Sequence, residues 1–224
     1  MDFAKVFNEA MPLLLEGVKL TIGISLLAIA VGMVIGFLSC IMGLSKNPVL
    51  KAISAVYVWL IRGTPMIVQA FFVFYAVPQL IKLITGSQFT LSPFAAGSIT
   101  LSLNAGAYLS EIFRGGIQSI PVGQHEASQV LGMTRGQTFF HIVLPQVMKR
   151  VLLTVSNEVI TLVKDTSLAN VIAVAELFRA AKNEASRTAS VEPLFVAGLF
   201  YLLMNGMVSL VFSYLNRRMA YYKD

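Results

Sequence analysis

The chain has 224 residues, 56% of them hydrophobic and 12% charged, with a formal net charge of +6. So few charges, and apolar runs long enough to cross ~30 Å of hydrocarbon at ~1.5 Å per residue, exclude an ordinary soluble domain. The single cysteine, Cys40, excludes an intramolecular disulfide, and a basic excess that flanks apolar runs, without clustering on a soluble face, points away from nucleic acid.

Taken in chain order, the apolar runs predict five membrane-spanning helices, at about 13–44, 65–84, 93–113, 142–164 and 193–216. Residues 87–93 read as a turn, so the third helix is expected to start near Pro93. The fourth run is interrupted by Glu158 and carries Pro145 near its start, a residue suited to a first helical turn. The expected fold is all-α and integral to the membrane, one transmembrane domain over 1–224. A long first run preceded by acidic residues reads as a span and not as a cleaved leader.

Five spans put the termini on opposite sides, and Lys and Arg decide which is inside. One side collects Lys46, Lys51, Arg62, Arg114, Arg135, Lys149, Arg150, Arg217, Arg218 and Lys223, opposed only by Glu111, Glu126 and Asp224. The other balances Lys5, Lys19, Lys82, Lys164, Arg179, Lys182 and Arg187 against Asp2, Glu9, Glu16, Asp165, Glu176, Glu184 and Glu192. The expectation is an N-terminus outside and a C-terminus in the cytoplasm. Arg62 then reads as an anchor reaching the inner headgroups, with Gly63 and Pro65 opening the second span.

Between the third and fourth spans, Pro121 and Gly123 break the chain, and 124–132 reads as a short cytoplasmic helix stopped by Gly132. Small residues at Ala127 and Ser128 allow another surface to approach, and Glu126 supplies a charge that can cap or pair locally. His125 and His141 lack companions at ligand spacing and read as structural, so no metal site is expected.

Glu126-Ala127-Ser128, three residues, Gly132, nine residues, then Ile142-Val143-Leu144-Pro145 resembles the EAA loop of ABC-importer permeases, with Ser128 where Ala is usual. Arg62-Gly63-Thr64-Pro65 through Gln69, Asn104-Ala105-Gly106-Ala107-Tyr108 through Glu111, Arg114-Gly115-Gly116-Ile117, and Leu162-Val163-Lys164-Asp165-Thr166-Ser167-Leu168 are similar to the polar-amino-acid permeases of that family. The resemblance implies a coupling helix seated in a cytoplasmic ATPase, with Gln124, Glu126, Ala127, Ser128, Gly132, Ile142, Leu144 and Pro145 as the docking residues. It also implies an ATPase dimer, a second permease subunit that is identical or homologous, an extracytoplasmic substrate-binding protein, and residence in a bacterial cytoplasmic membrane. No Gly-x-x-x-x-Gly-Lys-Ser/Thr loop occurs, so ATP and magnesium are expected in the partner, with no catalytic residue or cofactor in this chain.

A carboxylate inside a span costs roughly 2.5–3.5 kcal/mol on insertion scales, so Glu158 is expected to face a cavity or a partner charge. Thr161 and Asp165 lie three and seven residues on, on nearly the same helical face. With Asn104 in the third span, and Ser25 and Thr21 in the first, they form the candidate substrate site for a basic amino acid, glutamine or cystine. Two other readings stay open: neutralisation by Lys164 or by a neighbouring subunit's Lys149 or Arg150, and an ion-coupled transporter or channel using Glu158 and Asp165. The segment 175–184 reads as an amphipathic helix, with Leu177, Phe178 and Ala181 inward, lying on the membrane or forming an outer gate.

Overall fold

A computed structural model describes residues 3–219, with side chains from residue 10 onward. Asp2, Lys5, Glu9, Lys223 and Asp224, which enter the expected charge balance, lie outside the described side chains. The described residues form helices joined by short turns, without strands. Four helical stretches are long and apolar enough to cross a membrane: Ala10–Leu44, Met66–Thr85, Arg135–Ile172 and Glu192–Arg218.

Helix α1 (Phe3–Leu44) leads into α2 (Pro48–Arg62), which the sequence reading did not anticipate. Asn47 caps α2 by accepting from the Val49 N–H, and Pro48 fills a first-turn position where a missing donor costs nothing. Arg62 therefore ends a helix, and the next one starts after the break at Gly63–Pro65. A second interrupted helix follows: α3 (Met66–Phe71), a π-helical stretch Phe72–Ala76, and α4 (Val77–Thr85), ended by Gly86 at φ +70°. Ser92 caps α5 (Pro93–Gln118) by accepting from the Ala95 N–H.

Beyond α5 come α6 (Val122–Val130) and α7 (Arg135–Gln137), the latter opened by a capping box between Thr134 and Gln137. A second π stretch, Thr138–Val143, runs into α8 (Leu144–Asp165) and a 3-10 segment, Thr166–Ile172. Both π stretches precede a proline, Pro78 or Pro145. Its ring cannot donate to the carbonyl four residues back and crowds it, and widening the helix relieves that conflict. Last come α9 (Leu177–Thr188) and α10 (Glu192–Arg218).

The core is built around α5, which packs along α1 through small residues. Gly32 and Gly36 of α1 form a Gly-x-x-x-Gly surface, and a Cβ added at Gly36 would stand 2.8 Å from Leu109 Cβ and 3.0 Å from the Gly106 carbonyl oxygen. Hydroxyls tie α1, α2 and α5 together. Ser54 Oγ donates to the Ser39 carbonyl at 2.8 Å, Ser110 Oγ donates to Ser39 Oγ at 3.1 Å, and Tyr57 donates to the Leu103 carbonyl at 2.6 Å. Burying these groups is tolerable because each finds a partner.

At the opposite end of α1, α9 packs across the helix. Leu177 and Ala181 are fully buried and Phe178 half-buried. Glu176 caps α9, its carboxylate accepting from the Phe178 and Arg179 N–H groups at 2.7 Å each and from the Tyr201 hydroxyl at 2.8 Å. Burial pushes its pKa upward, with these donors pulling against it.

Candidate functional site

Helix α6 stands exposed at one end of the bundle, and only Ser128 of its residues is buried. The Ser128 hydroxyl donates to the His125 carbonyl at 2.7 Å and accepts from Thr138 Oγ1 at 2.9 Å, which pins α6 to the start of the α8 segment. Gly132 follows at φ +71°, a left-handed turn that L side chains adopt only with strain. The helix spans Val122–Val130, two residues earlier than the 124–132 expected, because Pro121 already serves as its N-cap and the left-handed turn sits beyond its end. Gln124 is held by Gln146, whose amide donates to it at 3.3 Å and to the Ile142 carbonyl at 2.9 Å. Glu126 and Ala127 point outward, and Glu126 pairs with none of the described residues. Val122, Val130 and Leu131 are 70%, 87% and 78% exposed, an apolar surface at the tip. Ile142, Leu144 and Pro145 are half-buried behind it.

Helices α5 and α8 each carry a polar face. On α5, Asn104, Tyr108, Glu111 and Gly115 recur at the spacing of one helical stripe; on α8, Thr154, Glu158, Thr161 and Asp165 do the same. The lower ends of the two stripes line a cleft of about 540 Å³, with Glu111, Gly115 and Ser119 on one side and Arg150 and Thr154 on the other. Higher up, Glu158 is half-buried and lies within electrostatic reach of Asp165 and Arg62. Thr161 is exposed.

The six expected substrate residues divide into two groups. Glu158, Thr161 and Asp165 share a face, and Asn104 lies on the companion stripe with its amide donating to Gln69 Oε1 at 3.3 Å. Gln69 is anchored in turn on the Ile61 and Thr64 carbonyls around the helix break. Thr21 and Ser25 are closed into the packing at 0% and 3% exposure, and Thr21 Oγ1 accepts from the Leu177 N–H at 3.1 Å. Lys149 and Arg150 are each engaged within this chain: Lys149 on the Asn216 carbonyl and side chain, Arg150 on the Ser119 carbonyl and hydroxyl.

The sequence reading missed a charged ladder on α5. Arg114 forks Glu111 through Nε at 3.0 Å and Nη2 at 2.5 Å, and Arg62 stacks over Tyr108 with its Nη1 3.9 Å from Glu111. The signal was the recurrence of Tyr108 and Glu111 at helical spacing from Asn104. Among the described residues no group of three His, Cys, Asp or Glu gathers closely enough to hold a metal.

Comparison with known proteins gives this arrangement its context. A family model described as the binding-protein-dependent transport system inner membrane component matches residues 35–221. The chain is 39% identical over 215 residues to the L-cystine transport system permease protein TcyB of Bacillus subtilis (strain 168), covering 94% of this chain and 88% of that one. It is 36% identical over 211 residues to the glutamine transport system permease protein GlnP of Escherichia coli (strain K12), covering 94% of each. A solved structure described as an amino acid ABC transporter with histidines superposes with a TM-score of 0.87 at 31% identity, over 97% of this chain and 99% of that one. A family model spanning most of the chain, with relatives aligned along nearly its whole length, shows that this protein belongs to the binding-protein-dependent transport system inner membrane components, the permease subunits of ABC importers.

Proposed function

We propose that the chain forms half of the translocation path for a polar amino acid in an ATP-driven importer, with α5 and α8 lining that path. The observation that carries this reading is the cleft between two polar stripes, in a chain whose other long spanning stretches, α1, α3–α4 and α10, expose mainly apolar residues. Isolated acids in spans are costly, and a shared aqueous path accounts for Glu158, Glu111 and Asp165 together. Relatives named for cystine and glutamine, and the structure solved with histidines, narrow the cargo to an amino acid.

In this reading α5 is a fifth span. It is long enough at 26 residues, and its Ser, Thr, Asn and Gly content reflects contact with protein and path, not lipid. Helix α6 is the coupling helix, its apolar tip and Glu126, Ala127 seated in a cytoplasmic ATPase, and two permease subunits close the path around a two-fold axis. The N-terminus is then outside and the C-terminus in the cytoplasm. An extracytoplasmic binding protein delivers cargo near α9. ATP-driven closure of the ATPase pair moves α6, and the bundles rock to open the outer side.

Reconstitution of the chain with its cognate ATPase and binding protein in proteoliposomes tests this. Uptake of a radiolabelled amino acid is expected to require ATP and the binding protein and to survive collapse of the membrane potential. Uptake driven by an ion gradient without ATP contradicts it.

A further inference from the structure

Arg62 closes α2 at the break before α3, and two contacts fix where its guanidinium lies. It stacks over the Tyr108 ring with Cζ 5.1 Å from the centroid, approaches Glu111 Oε2 at 3.9 Å, and lies within electrostatic reach of Glu158. At 3.9 Å the contact with Glu111 balances charge without a hydrogen bond, and Glu111 is already forked by Arg114. The Arg62 guanidinium makes no hydrogen bond to any described residue. Its N–H donors are therefore unspent, and with the Arg62 side chain 43% exposed they are open to a ligand beside the stripes of α5 and α8. A guanidinium stacked on an aromatic ring keeps its edge, which carries those donors, open to a second ligand.

We propose that Arg62 recognises the α-carboxylate of the cargo while Glu158 receives its ammonium, so that the path selects the zwitterionic head group of a free α-amino acid. The planar fork of donors matches a carboxylate through two parallel hydrogen bonds. Charge supports the pairing. A zwitterion brings no net charge between the stripes, whereas an amine lacking the carboxylate adds one and leaves the fork empty. Relatives named for cystine and for glutamine have cargoes that share this head group and little else. The inference rests on the importer reading above.

The test omits the binding protein, which makes its own selection. The permease–ATPase complex in nanodiscs is loaded with radiolabelled cystine, glutamine or arginine, whichever the complete system takes up with ATP. The label is then displaced by the unlabelled amino acid or by its decarboxylated amine: cystamine, 4-aminobutanamide or agmatine. Wild type is expected to prefer the amino acid by about tenfold or more, as a site built around a hydrogen-bonded group rejects an analogue lacking it. In Arg62→Gln the ratio falls towards one; in Arg62→Lys, which keeps a point charge without the fork, it falls about threefold. A ratio unchanged in Arg62→Gln overturns the proposal, and where that variant does not assemble, an unchanged ratio in Arg62→Lys does so. A wild-type system that takes up none of the three with ATP overturns the importer reading and this inference with it.

Discussion

Ser128 accepts a hydrogen bond from Thr138 Oγ1 at 2.9 Å, and this contact ties the exposed helix α6 to the base of α8. Ser128 stands where alanine is usual in the EAA loop, so the bond adds rigidity to a helix whose other side chains face outward. Ser128→Ala leaves the buried Thr138 hydroxyl without this acceptor, a loss of about 1–3 kcal/mol of local stability. Faster amide exchange across α6 is expected, with uptake changed less than about twofold because the exposed surface is intact. Unaltered exchange contradicts the pinning role.

Gly132→Leu affects the same region differently. The left-handed turn at φ +71° strains any L side chain by about 1–2 kcal/mol, and the end of α6 must shift to relieve it. Weaker association with the ATPase and loss of uptake are expected, while the binding protein still takes up its ligand. A pull-down showing normal ATPase association counts against the docking role.

Arg150 clamps the Ser119 carbonyl and hydroxyl at the end of α5, three residues before α6 begins, while the adjacent Lys149 holds Asn216 near the end of α10. One turn of α8 therefore grips two other helices at their carbonyl ends, where cations are favoured. In Arg150→Ala, motion of α6 is expected to pass less faithfully to α5, so that more ATP is hydrolysed per amino acid delivered. An ATP-to-uptake ratio equal to wild type contradicts the clamp.

Gly36→Leu tests the packing of α1 against α5. A Cβ there already meets Leu109 at 2.8 Å, and overpacking of this kind costs about 1–3 kcal/mol or more. Lower thermal stability in detergent is the expected readout, with Gly198→Leu, where an added Cβ meets nothing within 4 Å, as the unaffected control.

Glu184 is almost fully buried in α9, and its hydrogen bonds to Arg187 hold its carboxyl below the ordinary range. A carboxyl depressed on folding stabilises the fold above its unfolded value of about 4.3 and loses that contribution as pH falls through the folded value. Acid unfolding of α9 is therefore expected to begin as pH drops below about 4, and Glu184→Gln to flatten that limb. An unchanged acid limb contradicts the assignment.

Apolar runs and the spaced loop made the helical membrane character and the family readable in the sequence. Helix α2 escaped because Lys51 and Arg62 interrupt its apolar run; its apolar positions serve α1 and α5 on one side only. Glu158 and Asp165 drew attention because charge in a span is rare. The stacking of Arg62 over Tyr108 was not legible because it depends on a break at Gly63–Pro65 that places Arg62 at the end of a helix. Thr21 and Ser25 show the converse: hydroxyls at helical spacing suggest a polar wall, yet both are buried and the Thr21 hydroxyl accepts from the Leu177 N–H at the start of α9. Partners supplied by distant segments leave no periodic trace.

The central claim is that Glu158 meets the cargo in a path driven by ATP. The most direct measurement compares Glu158→Gln with wild type in proteoliposomes containing ATPase and binding protein, following amino-acid uptake alongside ATPase assembly. The account predicts uptake reduced at least about tenfold, as when a charged contact is lost from a desolvated site, with assembly intact. Uptake equal to wild type in the assembled complex contradicts it.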